Sequence, residues 1–449
     1  MRDNADDKVI DEIQRRLEGK VDGYEIFISS DTGFSVEVKE GGVDALKARS
    51  NAGVGLRTMR AGRPGFGFSS VTSPDAIASL VEKTIAAGCE AGEDVAMLFC
   101  SPAPKLPTAP LLLYDPSVGS VSEDEKIASA ITVEAACLAF DASVKRVRKA
   151  SYGESISSTR VVNSNGVDVR HSATYFSASV TAVAERDGDS QMGWDMASSH
   201  TRADMDFASV GTGAAKRAVR MLGARKLNTV KCPAVFENTV ATELLEALAG
   251  SFLGDNVLKG KSMLAGKLGK KTASTAITIV DNGLMPGGWS SALYDDEGVP
   301  HRSTVLLDNG VCSAFLYDTY WAVRAGAAST GNGARSSFKG TPGVGLSNIY
   351  IEKGQKSFDD LTSLMNTGLL ITDVLGMHTV NTVSGDFSIG AAGFWVEAGA
   401  IAYPVRGLAI SGNLLGLFSR VQGVGADQRF LGSVGAPSLL VEELEVSGA

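Results

Sequence analysis

Short strand-like runs in close succession, at residues 24–29, 34–39, 54–59 and 65–69, constrain this chain more than any other feature. A helical period frames them. Val9, Ile10, Ile13 and Leu17 recur on one face of a helix expected over residues 6–17, and a second helix is expected over 74–87. A connector carrying Pro102, Pro104, Pro107 and Pro110 leads to a helix over 122–140. Strands resume over 144–180, and residues 203–222 again have a helical pattern. At least two helices therefore pack on antiparallel strands.

The stretch 223–228, Gly-Ala-Arg-Lys-Leu-Asn, is the best boundary in the chain. Beyond it come a strand over 232–236, a helix over 238–252, and then mostly strands and turns, interrupted by one helix over 357–365. Asn309-Gly310, between the runs 303–307 and 311–316, is a type I′ hairpin signal, and Ala398-Gly399 marks a second hairpin between 394–397 and 400–405. The expected fold class is α+β: an N-terminal mixed helix/antiparallel-sheet domain over 1–222 and a β-rich C-terminal domain over 228–449. A chain of 449 residues can bury more than one core, and its 51 glycines, without a Gly-X-Y period, imply tight turns and close-packed strands.

Charge and composition narrow the function classes. A formal net charge of −9 makes the chain a poor binder of phosphate backbones, so no nucleic-acid partner is expected. No run approaches the roughly 18 apolar residues of a membrane span, and residues 1–8 lack the apolar stretch of a signal peptide. The five cysteines are scattered and form no Cys-x-x-Cys, which excludes a zinc ribbon and a thioredoxin-type pair. Reduced thiols and a cytoplasmic location are expected.

The helix over 238–252 is the most site-like segment. Asn238 is a good N-cap residue, and Val240, Leu244, Leu245 and Leu248 make an apolar stripe. Glu243 and Glu246, three apart, lie on neighbouring faces, either as a general base or ligand or, more simply, as the polar edge of a core helix. A zinc-peptidase helix needs two histidines one turn apart, and His171, His200, His301 and His378 are too dispersed to share a helix. Residues 254–262 miss the nucleotide P-loop by one residue, no Gly-x-Ser-x-Gly elbow exists, and Ser336-x-x-Lys339 lacks companion motifs. The cluster Asp295-Asp296-Glu297 reads as a cation site or, more simply, as a turn leading into a hairpin. Residues 329–335 form a polar loop able to line a cleft.

Several of these segments, taken in order, resemble the TldD/PmbA family and its TldE (PmbA) branch. They are Leu245-Glu246-Ala247-Leu248 with Gly254-Asp255, residues 261–269, Asp295-Asp296-Glu297-Gly298-Val299-Pro300, Ser329-Thr330-Gly331-Asn332 and Ser384-Gly385-Asp386-Phe387-Ser388. Gly53-Val54-Gly55-Leu56-Arg57 and Gly65-Phe66-Gly67-Phe68 extend the likeness into the first half, so that it covers essentially the whole chain. The resemblance implies a two-domain α+β fold. It also implies a peptidase of two related subunits that degrades unfolded peptides and trims the leaders of microcin-type antibacterial peptides. The active subunit, TldD, carries a His-Glu-x-x-x-His helix and a distant cysteine that hold the metal. Laid on this chain, the histidine positions fall on Leu245 and Gly250, and the glutamate on Glu246. The cysteine position falls near Gly423, in a stretch, 421–437, that has no cysteine.

The resemblance therefore implies a non-catalytic subunit with no cofactor of its own, the zinc residing in the partner. The expected partners are a TldD-type subunit in a heterodimer and an unfolded peptide, with homodimerisation possible for the isolated chain. Two alternatives stand beside this reading. One is a regulatory or binding protein of the gyrase-modulator type. The other is an independent hydrolase using Glu246 with Asp255 or the Asp295-Asp296-Glu297 cluster.

Overall fold

The computed structural model of the chain describes residues 2–103, 108 and 110–448, so Pro104 and Pro107 of the expected connector lie outside the described residues. In chain order the first half comprises α1 (Arg2–Leu17), β1 (Gly23–Lys39), β2 (Gly42–Arg60), β3 (Arg63–Ser69), α2 (Pro74–Glu90), α3 (Glu123–Ala139), β4 (Val144–Asn163), β5 (Asp168–Arg186), β6 (Asp189–Ser199) and α4 (Phe207–Arg220). Its strands form one antiparallel sheet in the order β3-β2-β1-β4-β5-β6. The strands are longer than the sequence pattern implies. The runs expected at 24–29 and 34–39 are two parts of the 17-residue β1, and the first half of β2 is almost wholly exposed, which leaves it no apolar alternation to read.

Three two-residue turns fold this sheet. Glu40-Gly41, Ala61-Gly62 and Asp187-Gly188 have φ of 54° and 75°, 49° and 74°, and 51° and 80°. Positive φ at both positions is the type I′ geometry that matches strand twist, and glycine at the second position lowers its cost. The helices cover one face only. Val36, Val38, Tyr152, Phe176, Ala178 and Val180 pack with Val133, Cys137, Val210 and Ala214 of α3 and α4, while α1 and α2 cover Ile26, Val54, Leu56 and Val162. Gly211 permits the closest α3–α4 approach, because a Cβ there would stand 2.3 Å from the Val133 carbonyl oxygen. The helix expected over 203–222 begins later than its pattern suggested. A 3-10 turn spans Arg202–Asp204, and Asp206 then caps α4 by accepting the Ser209 N–H at 3.0 Å.

The second half contains β7 (Val230–Phe236), α5 (Asn238–Ala249), α6 (Gly254–Leu258), β8 (Ile279–Asn282), β9 (Ser303–Asp308), β10 (Val311–Cys312), α7 (Thr319–Ala325), β11 (Gly333–Ala334), β12 (Gly343–Val344), β13 (Ile349–Ile351) and α8 (Phe358–Met365). It continues with β14 (Gly368–Leu375), β15 (Asp386–Glu397), β16 (Ala400–Asn413), α9 (Leu414–Ser419), β17 (Val421–Val424), β18 (Arg429–Leu431), β19 (Val434–Ala436) and β20 (Leu439–Ser447). Strands β16-β15-β14-β7-β20 close on themselves, because Ala409–Ser411 of β16 also pair with Ser447–Glu445 of β20. A second sheet, β10-β9-β8-β13-β19-β18, lies across α5. Both hairpins marked by Asn309-Gly310 and Ala398-Gly399 are present, the first with a β10 of only two residues. The chain is thus α+β, with a helix-and-sheet first half and a β-rich second half. Among the described residues no helix is long and apolar enough to cross a membrane.

Candidate functional site

Helix α5 is the central helix of the second half. Val240, Leu244, Leu245 and Leu248 are buried in one cluster with Ile279, Leu306 and Ile349 of the second sheet and Leu369 of the barrel. Each such leucine stabilises the fold by about 1.5–3 kcal/mol. Two sequence expectations need correction. The N-cap is Glu237 rather than Asn238, because the Glu237 N–H is still held in the barrel by the Ile371 carbonyl at 2.9 Å. The Asn238 side chain turns instead to the Asp427 carbonyl, to which it donates at 2.8 Å. The helix ends at Ala249, and residues Gly250–Phe252 tighten into a 3-10 turn.

The three motif positions on α5 have different surroundings. Leu245 is fully buried in the core, Glu246 is exposed, and Gly250 is the half-buried C-cap whose carbonyl accepts from Asn256 Nδ2 at 2.8 Å. Gly423 looks elsewhere. A Cβ on it would meet Leu361 of α8 at 2.9 Å, and Leu361 belongs to a cluster separate from that of Leu245. The loop after β17 does reach α5, through the Asp427 contact, while the Thr242 hydroxyl donates to the Asn238 carbonyl of its own helix at 2.9 Å. Zinc takes nitrogen, sulfur or carboxylate donors at close range. Leu245, Gly250 and Gly423 have no such atom, which leaves the Glu246 carboxylate alone, so these residues do not fit a zinc centre. Among the described residues no group of three or more His, Cys, Asp and Glu side chains is arranged to hold a metal. Nearby, Glu243 is pushed up to about 7 by burial first and then by the charges of Asp373 and Glu246.

The acidic cluster at 295–297 is a turn, as the simpler expectation had it, but a largely buried one. Asp295 knots the turn by accepting N–H bonds from Glu297 and Val299 at 2.9 Å and from Gly333 at 2.7 Å. Glu297, buried, accepts from Arg57 at 3.1 Å and from the Thr319 N–H at 2.8 Å. Arg57 in turn grips Glu25 through two bonds of 2.9 and 2.6 Å, and Arg335 donates to the same carboxylate. Burial opposes the Glu25 charge, but Arg335 and Arg57 outweigh it and hold the carboxyl below its usual range. Burial likewise opposes the Arg57 charge, and Glu25 and Glu297 outweigh it. For Asp295 burial, reinforced by Glu297, wins and raises the pKa well above normal.

This network fastens β1 and β2 of the first half to the turns of the second. No local pattern reveals it, since Arg57 and Glu297 are 240 residues apart and Arg335 and Glu25 are 310 apart. His200 is a second fastener that sequence reasoning left as an isolated histidine. It is buried, with Nδ1 2.6 Å from the Thr174 carbonyl oxygen, Nε2 3.0 Å from that of Gly288, and Tyr175 and Trp289 against its ring. His378 is exposed, whereas His171 and His301 line a common interdomain cavity.

Comparison with known proteins matches this architecture along most of its length. Residues 24–88, 116–222 and 229–448 match, respectively, domain 1, the central domain and the C-terminal domain described for PmbA/TldA metallopeptidases. The chain is 31% identical over 439 residues to Metalloprotease PmbA of Escherichia coli O157:H7, covering 96% of this chain and 93% of that protein. A Metalloprotease TldD homolog of Haemophilus influenzae is 30% identical over 220 residues, 46% of this chain and 45% of its own. A candidate DNA gyrase modulator from Thermotoga maritima superposes with a TM-score of 0.91 at 28% identity, covering 98% of this chain and 100% of its own. TldE from Thermococcus kodakarensis shares the fold, with a TM-score of 0.90 at 23% identity over 98% of this chain and 100% of its own. The chain belongs to the TldD/PmbA metallopeptidase family, and within it to the PmbA/TldE branch.

Proposed function

We propose that this chain is the non-catalytic, TldE-type subunit of a heterodimeric metallopeptidase, with the zinc held by a TldD-type partner. The assembly acts on unfolded peptides or trims leader peptides, as in microcin maturation, in the cytoplasm. The observation that carries this reading is the state of α5. The positions that correspond to the zinc histidines of the active branch hold a core leucine, Leu245, and a glycine, Gly250. Leu245 serves packing, and Glu246 is left on the exposed side of the helix without a companion ligand. The family's relatives include both PmbA and TldD chains, which supports a division of labour between them.

The test is to purify the chain alone and together with a TldD-type subunit, measure zinc by mass spectrometry, and assay cleavage of an unstructured peptide. Zinc and cleavage are expected only when the partner is present. Stoichiometric zinc with cleavage by the lone chain would overturn the reading. The name of the Escherichia coli relative, a metalloprotease, makes that outcome worth testing directly. A second reading, a regulatory protein acting on gyrase, is favoured by the Thermotoga maritima structure. It predicts retention on immobilised gyrase and no co-purification with a TldD-type chain. Homodimerisation of the isolated chain is read in the same preparation from its mass by light scattering.

A further inference from the structure

Between residues 256 and 280 the chain has no aspartate or glutamate, yet Lys259, Lys261, Lys267, Lys270 and Lys271 fall there in close succession. In a chain of net charge −9 this is a local reversal of sign. The segment leaves α6 and returns as a compact loop. Its first end is held by the Gly254 N–H, which donates to the Leu316 carbonyl at 2.8 Å. Its other end is held at Cys312, whose N–H donates to the Lys270 carbonyl at 3.0 Å and whose carbonyl accepts the Gly269 N–H at 2.7 Å. Residues 312 and 316 are at most about 14 Å apart, so the intervening chain folds back on itself in the manner of an Ω-loop. Ser262, Met263 and Leu264 are buried and fill it from within, the Ser262 hydroxyl donating to the Ser251 carbonyl at 2.7 Å.

Lys259, Lys261, Lys270 and Lys271 are exposed, and Lys267 is half-buried. The neighbouring α7 adds Arg324. Lys259 lies over the Trp321 ring at 4.5 Å, and Arg324 lies over the same ring at 5.8 Å and over that of Tyr320 at 5.7 Å. Three carboxylates border the loop, the third beside Gly385, which packs on Met263. Asp255 is taken by Lys259 at 2.8 Å, Asp308 by the Asn309 amide at 2.7 Å, and Asp386 by that of Asn413 at 2.9 Å. Among the described residues Lys261, Lys267, Lys270, Lys271 and Arg324 make no ion pair, so the patch keeps a positive excess. Leu258, Leu268 and Val323, 46%, 57% and 38% exposed, are set among these cations.

The make-up of the patch selects among anionic partners. Protein interfaces are depleted in lysine and favour arginine. Single-stranded nucleic acid needs free ring faces on which its bases stack, and here the Trp321 and Tyr320 rings already carry cations. Lysine is a hydrated point charge on a flexible stem, suited to a diffuse field of charge rather than to one fixed carboxylate. Clustered lysines beside exposed aliphatic side chains combine the two weak attractions that hold a protein at an anionic lipid surface. We propose that the loop over residues 258–271, with Arg324 of α7, docks this protein peripherally on an anionic phospholipid bilayer. The lysines lie at the level of the headgroups, and Leu258 and Leu268 reach between them. The proposal rests on this surface alone and is independent of the subunit reading above.

The experiment mixes the full chain with vesicles of phosphatidylcholine, alone or in equal mixture with phosphatidylglycerol, and reads the bound fraction by co-sedimentation. Binding is expected only with the anionic lipid. It is expected to fall at least fivefold between about 0.1 and 1 M salt, where the screening length drops from about 10 to 3 Å. Lys261→Glu, Lys267→Glu and Lys270→Glu together are expected to lower the partition coefficient at least tenfold, and Leu258→Ser with Leu268→Ser severalfold. Both variants are expected to melt close to the parent. The same charge change at Lys20, Lys39 and Lys216, exposed lysines of the first half, is expected to leave most of the binding. A parent chain that ignores anionic vesicles in low salt, or binds both lipids equally, would overturn the proposal. Loop variants that bind as the parent does would overturn it too. A distant triple variant as weak as the loop variant assigns the attraction to net charge and has the same consequence. So does tighter binding to polyglutamate or single-stranded DNA than to vesicles at equal charge concentration.

Discussion

Leu245 shows how far a single residue commits this chain. Its side chain has no exposure and sits among leucines and isoleucines from two sheets, so an imidazole there would exchange packing for an unpaired polar ring. Leu245→His is expected to cost about 2–4 kcal/mol, read as a lower urea midpoint, and to bring in no stoichiometric zinc even when combined with Gly250→His. Glu246→Gln, on the exposed side, is expected to change stability by no more than about 0.5 kcal/mol. In the complex it is expected to leave peptide cleavage unchanged, and a large loss would mean that Glu246 touches substrate or partner. Glu243 behaves differently. Its folded pKa is raised to about 7, so the folded state binds the proton more tightly than the unfolded state and stability from this group falls as pH rises from about 4.5 through 7. Glu243→Gln, which mimics the protonated form, is expected to raise the melting temperature at pH 8 and to have little effect at pH 4.5. The sequence displayed both glutamates on a helix. It did not display Asp373, 130 positions downstream, whose charge adds to burial in separating the two roles.

At the level of elements, legibility followed burial contrast. The hairpin at Ala398-Gly399 and the helices over 122–140 and 357–365 could be read because turn or capping residues bounded a clear apolar period. Ser122 with Glu125 and Ser357 with Asp360 form reciprocal capping boxes in the structure. The turns Glu40-Gly41, Ala61-Gly62 and Asp187-Gly188 carry the same backbone geometry as Asn309-Gly310 but were not singled out. The strands that follow Glu40-Gly41 and Asp187-Gly188 begin exposed or half-exposed, so no apolar alternation pointed to those two turns, whereas Ala61-Gly62 lies between two expected strands and lacks an Asn or Asp at its first position. The beginning of α5 was placed correctly, but its N-cap was misplaced by one residue for a tertiary reason, the hold of the Ile371 carbonyl on Glu237. Glu237 also receives Arg217 at 2.9 Å and Arg220 at 3.0 Å from α4, tying the last helix of the first half to the first helix of the second. Glu237→Ala leaves two half-buried guanidiniums without a carboxylate. It is expected to destabilise the protein by about 1–3 kcal/mol, measured by chemical denaturation.

Across the whole molecule, the three largest apolar clusters fall on one side or the other, and the two halves are fastened by polar contacts together with small shared clusters: Phe338 with Phe27 and Val161, Leu284 and Leu293 with Leu111 and Leu113, and Met221 with Val235 and Phe394. The polar part of this junction holds only while its charges remain paired. Buried ion pairs contribute modestly when intact but are costly to break, because the remaining partner is left charged in a medium that solvates it poorly. Arg57→Met leaves Glu25 with Arg335 but strips Glu297 of its guanidinium partner, and it is expected to cost about 3–5 kcal/mol. The parent protein is expected to melt in one calorimetric transition. The variant is expected to separate into two, with the first half melting first, because its remaining polar ties include His200 and Glu237. Acidification tests the same junction from the other side. His171 and His301 have folded pKa values near 4 against an ordinary 6.5, so the unfolded state takes up protons first and their contribution is present above about 6.5 and lost as pH falls towards 4. The two histidines lie between the halves, so the loss is expected to appear as a separation of the parent's single transition into two below pH 6. In the double replacement His171→Asn and His301→Asn, that separation is expected to depend less on pH between 6.5 and 4.5, with the remainder coming from Asp296 and Asp318, whose carboxyls burial raises to about 6. A double variant that keeps the parent's pH dependence would assign the effect to other groups.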